Sequence, residues 1–179
     1  MEHKTTEFED LILIKSRVFE DSRGNFFESY SKKKYAEIGI NDLFLQDNKS
    51  KSFKNVLRGL HYQHKDPQSQ LVTVLEGEIF DVCLDLRKNS KTFGKWISHV
   101  LSHEGYNQIY MPPGFAHGYY VLSDSVELHY KVSKYYEPSH ESGIIWDDQT
   151  LSIDWPCEEP VLSDKDKEFP KFKNDIKVV

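Results

Sequence analysis

Three short segments carry the side chains best suited to move a proton or grip an anion. The first is Arg58-Gly59-Leu60-His61-Tyr62-Gln63-His64. An imidazole titrates near neutrality and can act as a general base, and a guanidinium grips phosphate through two hydrogen bonds. On a strand, residues of one parity share a face, so Arg58 groups with Leu60, and His61 with Gly59 and Gln63. The second segment, Tyr110 to Gly118, sets His117 three residues after a Pro-Gly turn. The third, Val126 to Tyr136, puts Tyr130 on the same face as Leu128 and Val132, toward an apolar interior. A buried tyrosine hydroxyl normally finds a partner. Each segment also has a plainer explanation: polar groups on the wet side of a strand, a hydrogen-bonded barrel histidine, a core tyrosine. Tyr135-Tyr136 leads into a Glu137-Pro138 turn, where the rings either stack on a planar ligand or pack.

The spacing Pro112-x-Gly114-x-x-His117 resembles the second motif of the cupin family of double-sheet jelly rolls. In metal cupins that histidine is a ligand, and a metal needs three or four ligands converging on one point. His61 and His64, three apart on a strand, point to opposite faces. Pro67-Gln68-Ser69-Gln70 stands where a ligand glutamate would follow. These spacings argue against a metal site. The chain has no phosphate loop, dinucleotide fingerprint or nucleophile elbow. Cys83 and Cys157 lack the spacing of a zinc ribbon or a disulfide framework.

The elements that must position these groups read mostly as strands. Aromatic residues make up 13% of 179, which suits strands and rules out a disordered chain. Ile79, Asp81, Cys83 and Asp85 alternate with Phe80, Val82, Leu84 and Leu86, a period of two. Val56 to Gln63, Leu71 to Leu75, Ile79 to Leu86, Lys95 to Ser102, Gln108 to Met111, Ala116 to Leu122 and Val126 to Ser133 form the series, with Phe26 to Tyr30 before it. Turn residues separate most of them, which predicts a sandwich or small barrel. One short helix is expected over Lys32 to Ile38, ending at Gly39. From Ser163 the composition is that of a charged surface tail. The net charge of −6 argues against a nucleic-acid groove. No apolar stretch approaches the roughly 20 residues of a membrane span, and Met1 to Asp10 lacks a signal core, so a cytoplasmic location with no membrane partner is expected.

Taken in order, these segments resemble the dTDP-4-dehydrorhamnose 3,5-epimerase family. The resemblance runs through Phe19 to Tyr30, Gln46 to Ser50, Asn55 to Gln63, Gly77 to Val82, Pro113 to Gly118, Tyr130-Lys131, Tyr135-Tyr136, Trp146-Asp147-Asp148, Trp155-Pro156 and Leu162 to Asp166. It implies an all-β, cupin-type double-sheet jelly roll with one or two short helices, spanning residues 1–179 as a single domain. Residues 163–179 would fold back to the site. It also implies a homodimer with N-terminal strand exchange, no need of a cofactor, and a nucleotide-diphosphate 4-keto sugar as substrate for surface-polysaccharide synthesis. The 4-carbonyl acidifies the protons at C3 and C5 by delocalising the carbanion into an enolate. In the family pattern His61 is the base, Asp166 orients it and Tyr130 is the acid on the opposite face. Arg23, Glu28, Gln46, Asp47, Asn48, Arg58, His117, Glu141 and Lys165 fall on substrate-binding positions, and Tyr136 is a candidate to stack on the nucleotide base.

One position departs from the pattern. The rhamnose-pathway enzymes carry a lysine near the keto oxygen where this chain has Gln70. A neutral amide still donates a hydrogen bond but supplies no charge to a developing enolate. Either another cation such as Lys65 compensates or the substrate differs: inversion at C3 only, or a GDP-linked sugar such as a heptose. A 3,4-ketoisomerase, a non-catalytic sugar-binding cupin and a metal-dependent cupin enzyme are the remaining alternatives.

Overall fold

Alternation along the strands gives two sheets, each with one apolar face turned to the other. The structure, a computed structural model, describes residues 1–176 and 178. Lys177 and Val179, within the segment expected to fold back, lie outside the described residues. The first sheet has six strands in the order β1 (Glu2–Thr5), β2 (Ile12–Lys15), β10 (Gln108–Met111), β7 (Gln70–Glu76), β12 (Ser125–Val132) and β5 (Gln46–Phe53). The second has five, in the order β13 (Glu141–Gly143), β6 (Leu57–Gln63), β11 (Phe115–Val121), β8 (Glu78–Asp85) and β9 (Trp96–Ser102). Neighbouring strands pair antiparallel throughout. A separate hairpin joins β3 (Val18–Asp21) to β4 (Gly24–Phe27) and belongs to neither sheet.

Leu13, Val72, Val74, Ile109, Met111 and Leu128 from the first sheet meet Ile79, Cys83, Leu101 and Val121 from the second in the central core. The sheets also bury their outer faces. Leu57, Leu60, Val82, Leu84 and Ala116 pack under Ile144, Leu151, Trp155 and Phe172 from the C-terminal part of the chain. Ile12, Ile14, Leu71 and Tyr110 pack against Tyr35 and Ile40, at and after the short helix α1 (Lys32–Ala36). This is why β8 carries apolar residues of both parities, Val82 and Leu84 on one side and Ile79 and Cys83 on the other.

The helix ends at Ala36, and Ile38 and Gly39 close it through turn hydrogen bonds to Tyr35 and Ala36. The expected strand from Phe26 to Tyr30 is instead the second arm of the hairpin, stopping at Phe27, because the Asp21-Ser22-Arg23-Gly24 turn sets its start. The charged stretch after Ser163 is not merely a surface tail. Ser163 caps a short helix, α2 (Asp164–Lys167), by accepting from the Asp166 N–H, and this turns Asp166 inward to 3% exposure.

Candidate active site

A cavity of about 350 Å³ opens between the two sheets. From the six-stranded side it is lined by Gln46, Asn48, Ser50, Gln70, Val72, Leu128, Tyr130 and Val132. From the five-stranded side come Arg58, His61, Gln63, His117 and Tyr119. Tyr136 and Glu141 also line it, Tyr136 with its ring half exposed.

Arg58 and His61 both reach this cavity, although strict alternation would separate them. The cause is a local break in β6. Its pairing with β11 shifts register between His117 and Tyr119, and Gly59 has φ +116°. A Cβ on Gly59 would lie 2.6 Å from the Gly118 Cα and from the His117 oxygen, so only glycine permits this approach of the two backbones. Arg58 Nε then donates to Ser52 Oγ at 3.0 Å.

His61 Nε2 lies 2.7 Å from Asp166 Oδ1. Burial works to raise the Asp166 pKa, but the His61 hydrogen bond and charge, the Gly59 N–H and Ser163 outweigh it and hold the carboxyl below its ordinary range. An ionised Asp166 accepts from Nε2–H, which leaves Nδ1 of His61 as the basic nitrogen. Tyr130 differs. Its hydroxyl has no hydrogen-bond partner among the described residues, and burial, followed by the neighbouring Tyr119, pushes its pKa up against the opposing effect of Arg58. It keeps its proton at neutral pH and faces the cavity from the sheet opposite His61. A flat enolate lying between the sheets would thus have a base on one side and an acid on the other.

A second histidine–carboxylate pair stands alongside. His117 is the cross-strand neighbour of His61, and its Nε2 lies 2.6 Å from Oδ2 of the buried Asp81. Glu141 joins two other expected residues, accepting from both the Tyr136 hydroxyl and the Lys165 ammonium. Burial opposes ionisation of Glu141, but these two partners hold its pKa low. The same carboxylate, followed by burial, pushes the Tyr136 hydroxyl up to about 12. A second hollow of about 310 Å³ adjoins the first, lined by Arg58, His61, Glu141, Lys165 and Asp166.

Lys165 and Asp166 line only this second hollow, and three expected residues line neither. Asp47 sits on β5 between Gln46 and Asn48, so the two-residue period turns its side chain to the outer face, where Lys131 binds it at 2.7 Å. Arg23 lies at the hairpin turn, 87% exposed and paired with Asp21 at 2.6 Å. Glu28 pairs with Lys34 at 2.8 Å. Gln70 is in the wall, while Lys65 is exposed and outside the lining, so it supplies no charge there. The wall is rich in neutral amides, with Gln46, Asn48, Gln63, Gln68 and Gln70 around Arg58. Sequence reasoning missed Gln68, Tyr119 and the serines of β5, which carry no periodic apolar signal. Among the described residues no group of three or more His, Cys, Asp or Glu side chains is placed to hold a metal ion. No described helix is long and apolar enough to cross a membrane.

The family model described as dTDP-4-dehydrorhamnose 3,5-epimerase matches residues 5–174. The chain belongs to this family. It is an isomerase of the carbohydrate-epimerase class with the cupin jelly-roll fold. It is 48% identical to the dTDP-4-dehydrorhamnose 3,5-epimerase of Shigella flexneri over 169 residues, 93% of each chain. The Bacillus anthracis enzyme of that name, solved with TDP and pyrophosphate bound, superposes with a TM-score of 0.90 at 43% identity. That match covers 96% of this chain and 100% of the other. A Legionella pneumophila dTDP-6-deoxy-D-glucose-3,5-epimerase, solved with dTDP-4-keto-L-rhamnose, gives 0.88 at 43% identity with the same coverage.

Proposed function

We propose that this epimerase inverts C3 and C5 of a dTDP-linked 4-keto-6-deoxyhexose, with His61 as base and Tyr130 as acid. The observation that carries the reading is their placement on opposite sheets across one cavity, His61 backed by the Asp166 carboxylate and Tyr130 with an unpartnered hydroxyl. The neutral imidazole takes the proton from C3 through Nδ1. The electron pair passes into the carbonyl as an enolate, and Asp166 stabilises the imidazolium that forms. Tyr130 then returns a proton to the other face of the carbon; solvent takes the proton from His61 and restores that of Tyr130, after which the same steps serve C5. Arg58 and the Gln70 amide are among the donors in the wall that could serve the enolate oxygen or the diphosphate. Tyr136 at the rim suits stacking on the nucleotide base.

The working unit in this reading is a homodimer. The β3–β4 hairpin presents Phe19 and Phe26, 50% and 69% exposed, while Arg23 and Glu28 beside it stand apart from the cavity of their own chain. A second copy whose cavity receives this hairpin would bury the rings and bring a guanidinium to the diphosphate.

Proton NMR in D₂O with a panel of dTDP- and GDP-linked 4-keto sugars tests the proposal. With the dTDP-4-keto-6-deoxyhexose, wild-type enzyme should place deuterium at C3 and C5 with inversion. His61→Ala should abolish exchange, and Tyr130→Phe should retain exchange at C3 while blocking inversion. Exchange that persists in His61→Ala rejects the base assignment. The neutral Gln70 favours one second reading, a different sugar or nucleotide, and turnover confined to a GDP-linked member of the panel would select it.

A further inference from the structure

We infer that Phe169 is a positioning residue for His61, its ring seated beside Gly143 and bracing the imidazole in the plane that serves both Asp166 and the cavity. The inference rests on the reading of His61 as the base. His61 is flanked on its sheet by His117 of β11 and Gly143 of β13. The position beside it holds no side chain, because a Cβ at residue 143 would lie 2.4 to 2.5 Å from three carbons of the Phe169 ring. That ring stands edge-on to the imidazole, with centroids 5.5 Å apart and planes at 73°. Aromatic pairs favour this geometry.

The chain holds Phe169 there from both sides. Ahead of it, Ser163 caps the turn that contains Asp166, at 3.1 Å from the Asp166 nitrogen. Behind it, Ile145 N–H donates to the Pro170 carbonyl at 3.0 Å, and Phe172 N–H donates to the buried Asp148 at 2.8 Å. One segment therefore delivers two groups to His61. The carboxylate fixes the position of Nε2, but a single hydrogen bond fixes a point and not a plane. The ring could still pivot about it, swinging Nδ1 away from the carbon acid. A packed face removes that freedom. General-base catalysis is sensitive to such an error, since proton transfer needs heavy atoms within hydrogen-bond reach.

The test uses the full-length enzyme with a dTDP-4-keto-6-deoxyhexose. Steady-state rates, thermal midpoints and the low-field NMR signal of the imidazole N–H bound to Asp166 are compared for wild type, Phe169→Ala, Phe169→Leu and Gly143→Ala. Phe169→Ala should lower kcat about ten-fold with KM within about two-fold, as misplacement of a catalytic group does. Its N–H signal should broaden through exchange. Phe169→Leu, which restores bulk, should recover most of the rate and a sharp signal. Gly143→Ala, which displaces the ring, should reproduce the loss. If Phe169→Ala does not fold, the contrast between the other two variants gives the same reading. An unchanged kcat, a KM that rises in step with the loss, or an N–H signal that stays sharp while the rate falls overturns the inference. His61→Ala separates the two claims. Turnover in that variant rejects the base itself, whereas an inactive His61→Ala beside a normal Phe169→Ala rejects only the role of Phe169.

Discussion

At the scale of single residues, the cavity brings little positive charge to the enolate that the proposed mechanism develops. Arg58 is the lining residue with a permanent cation, and its Nε is already engaged by Ser52. Gln70 sits in the wall as a neutral donor, flanked by strand positions that pair it with Met111 and Val132. Gln70→Lys should therefore raise kcat on a dTDP-4-keto-6-deoxyhexose, by about ten-fold if the new ammonium meets the developing oxyanion. Rate measurement on the purified variant checks this, and a fall in kcat would mean that Gln70 is matched to another substrate. His61, Tyr130 and His117 were visible in the sequence as residue types in suggestive settings, but a plain structural explanation stood beside each one. Asp166 was visible only through family resemblance, because a run of Ser-Asp-Lys-Asp-Lys-Glu looks like solvated surface. Its burial follows from a capped turn and from packing of the residues behind it, which local composition does not encode. Phe169 had no signal at all, since its role depends on a glycine 26 positions earlier in the chain.

At the scale of elements, the strands with alternating apolar residues were legible, and those with alternating polar residues were not. Ile79 to Leu86 announced β8 by its period. Gln46 to Phe53 is equally regular in space, yet the residues it turns inward are Gln46, Asn48 and Ser50 at the cavity and Ser52 buried against Arg58 and Tyr119, which leave no hydrophobic trace. The break in β6 was also invisible, and it overturned the parity argument that set Arg58 apart from His61. The end of β8 carries a testable feature. Asp85 is fully buried and accepts from the Arg87 guanidinium at 2.9 and 3.0 Å, from Ser90 at 2.6 Å and from Thr92 at 2.7 Å. Burial alone would raise its pKa, but these donors together hold it below the ordinary carboxylate range. The folded state thus gives up this proton more readily than the unfolded chain. The stability it contributes is complete above the unfolded value of about 4 and is lost as pH falls through the lower folded value. Asp85→Asn should cost about 2–4 kcal/mol at neutral pH. It should also flatten the acid limb of the stability curve, as measured by urea unfolding at a series of pH values. An unchanged acid limb would remove Asp85 from the groups that set it.

At the scale of the whole molecule, the two sheets divide the proposed base and acid between them, and the proposed exchange of hairpins would divide the site again between two chains. Mixing tests this directly. His61→Ala keeps a normal hairpin and Arg23→Ala keeps a normal barrel, so each should be weak alone. Unfolded together and refolded in equal amounts, they should regain about a quarter of the wild-type rate, half of the dimers being mixed and one of the two sites in each intact. No recovery, with a mixed dimer demonstrated by mass, would place Arg23 with its own barrel. The contact between His61 and Asp166 spans 105 positions, which also has a meaning in time. During translation the strand that bears the base leaves the ribosome long before the carboxylate that orients it. Until the α2 turn arrives, His61 stands without the carboxylate proposed to orient it. A chain that stopped short of Asp166 would also lack Phe172 from the cluster over the five-stranded sheet, so His61 would lose both its partner and part of the packing behind its strand.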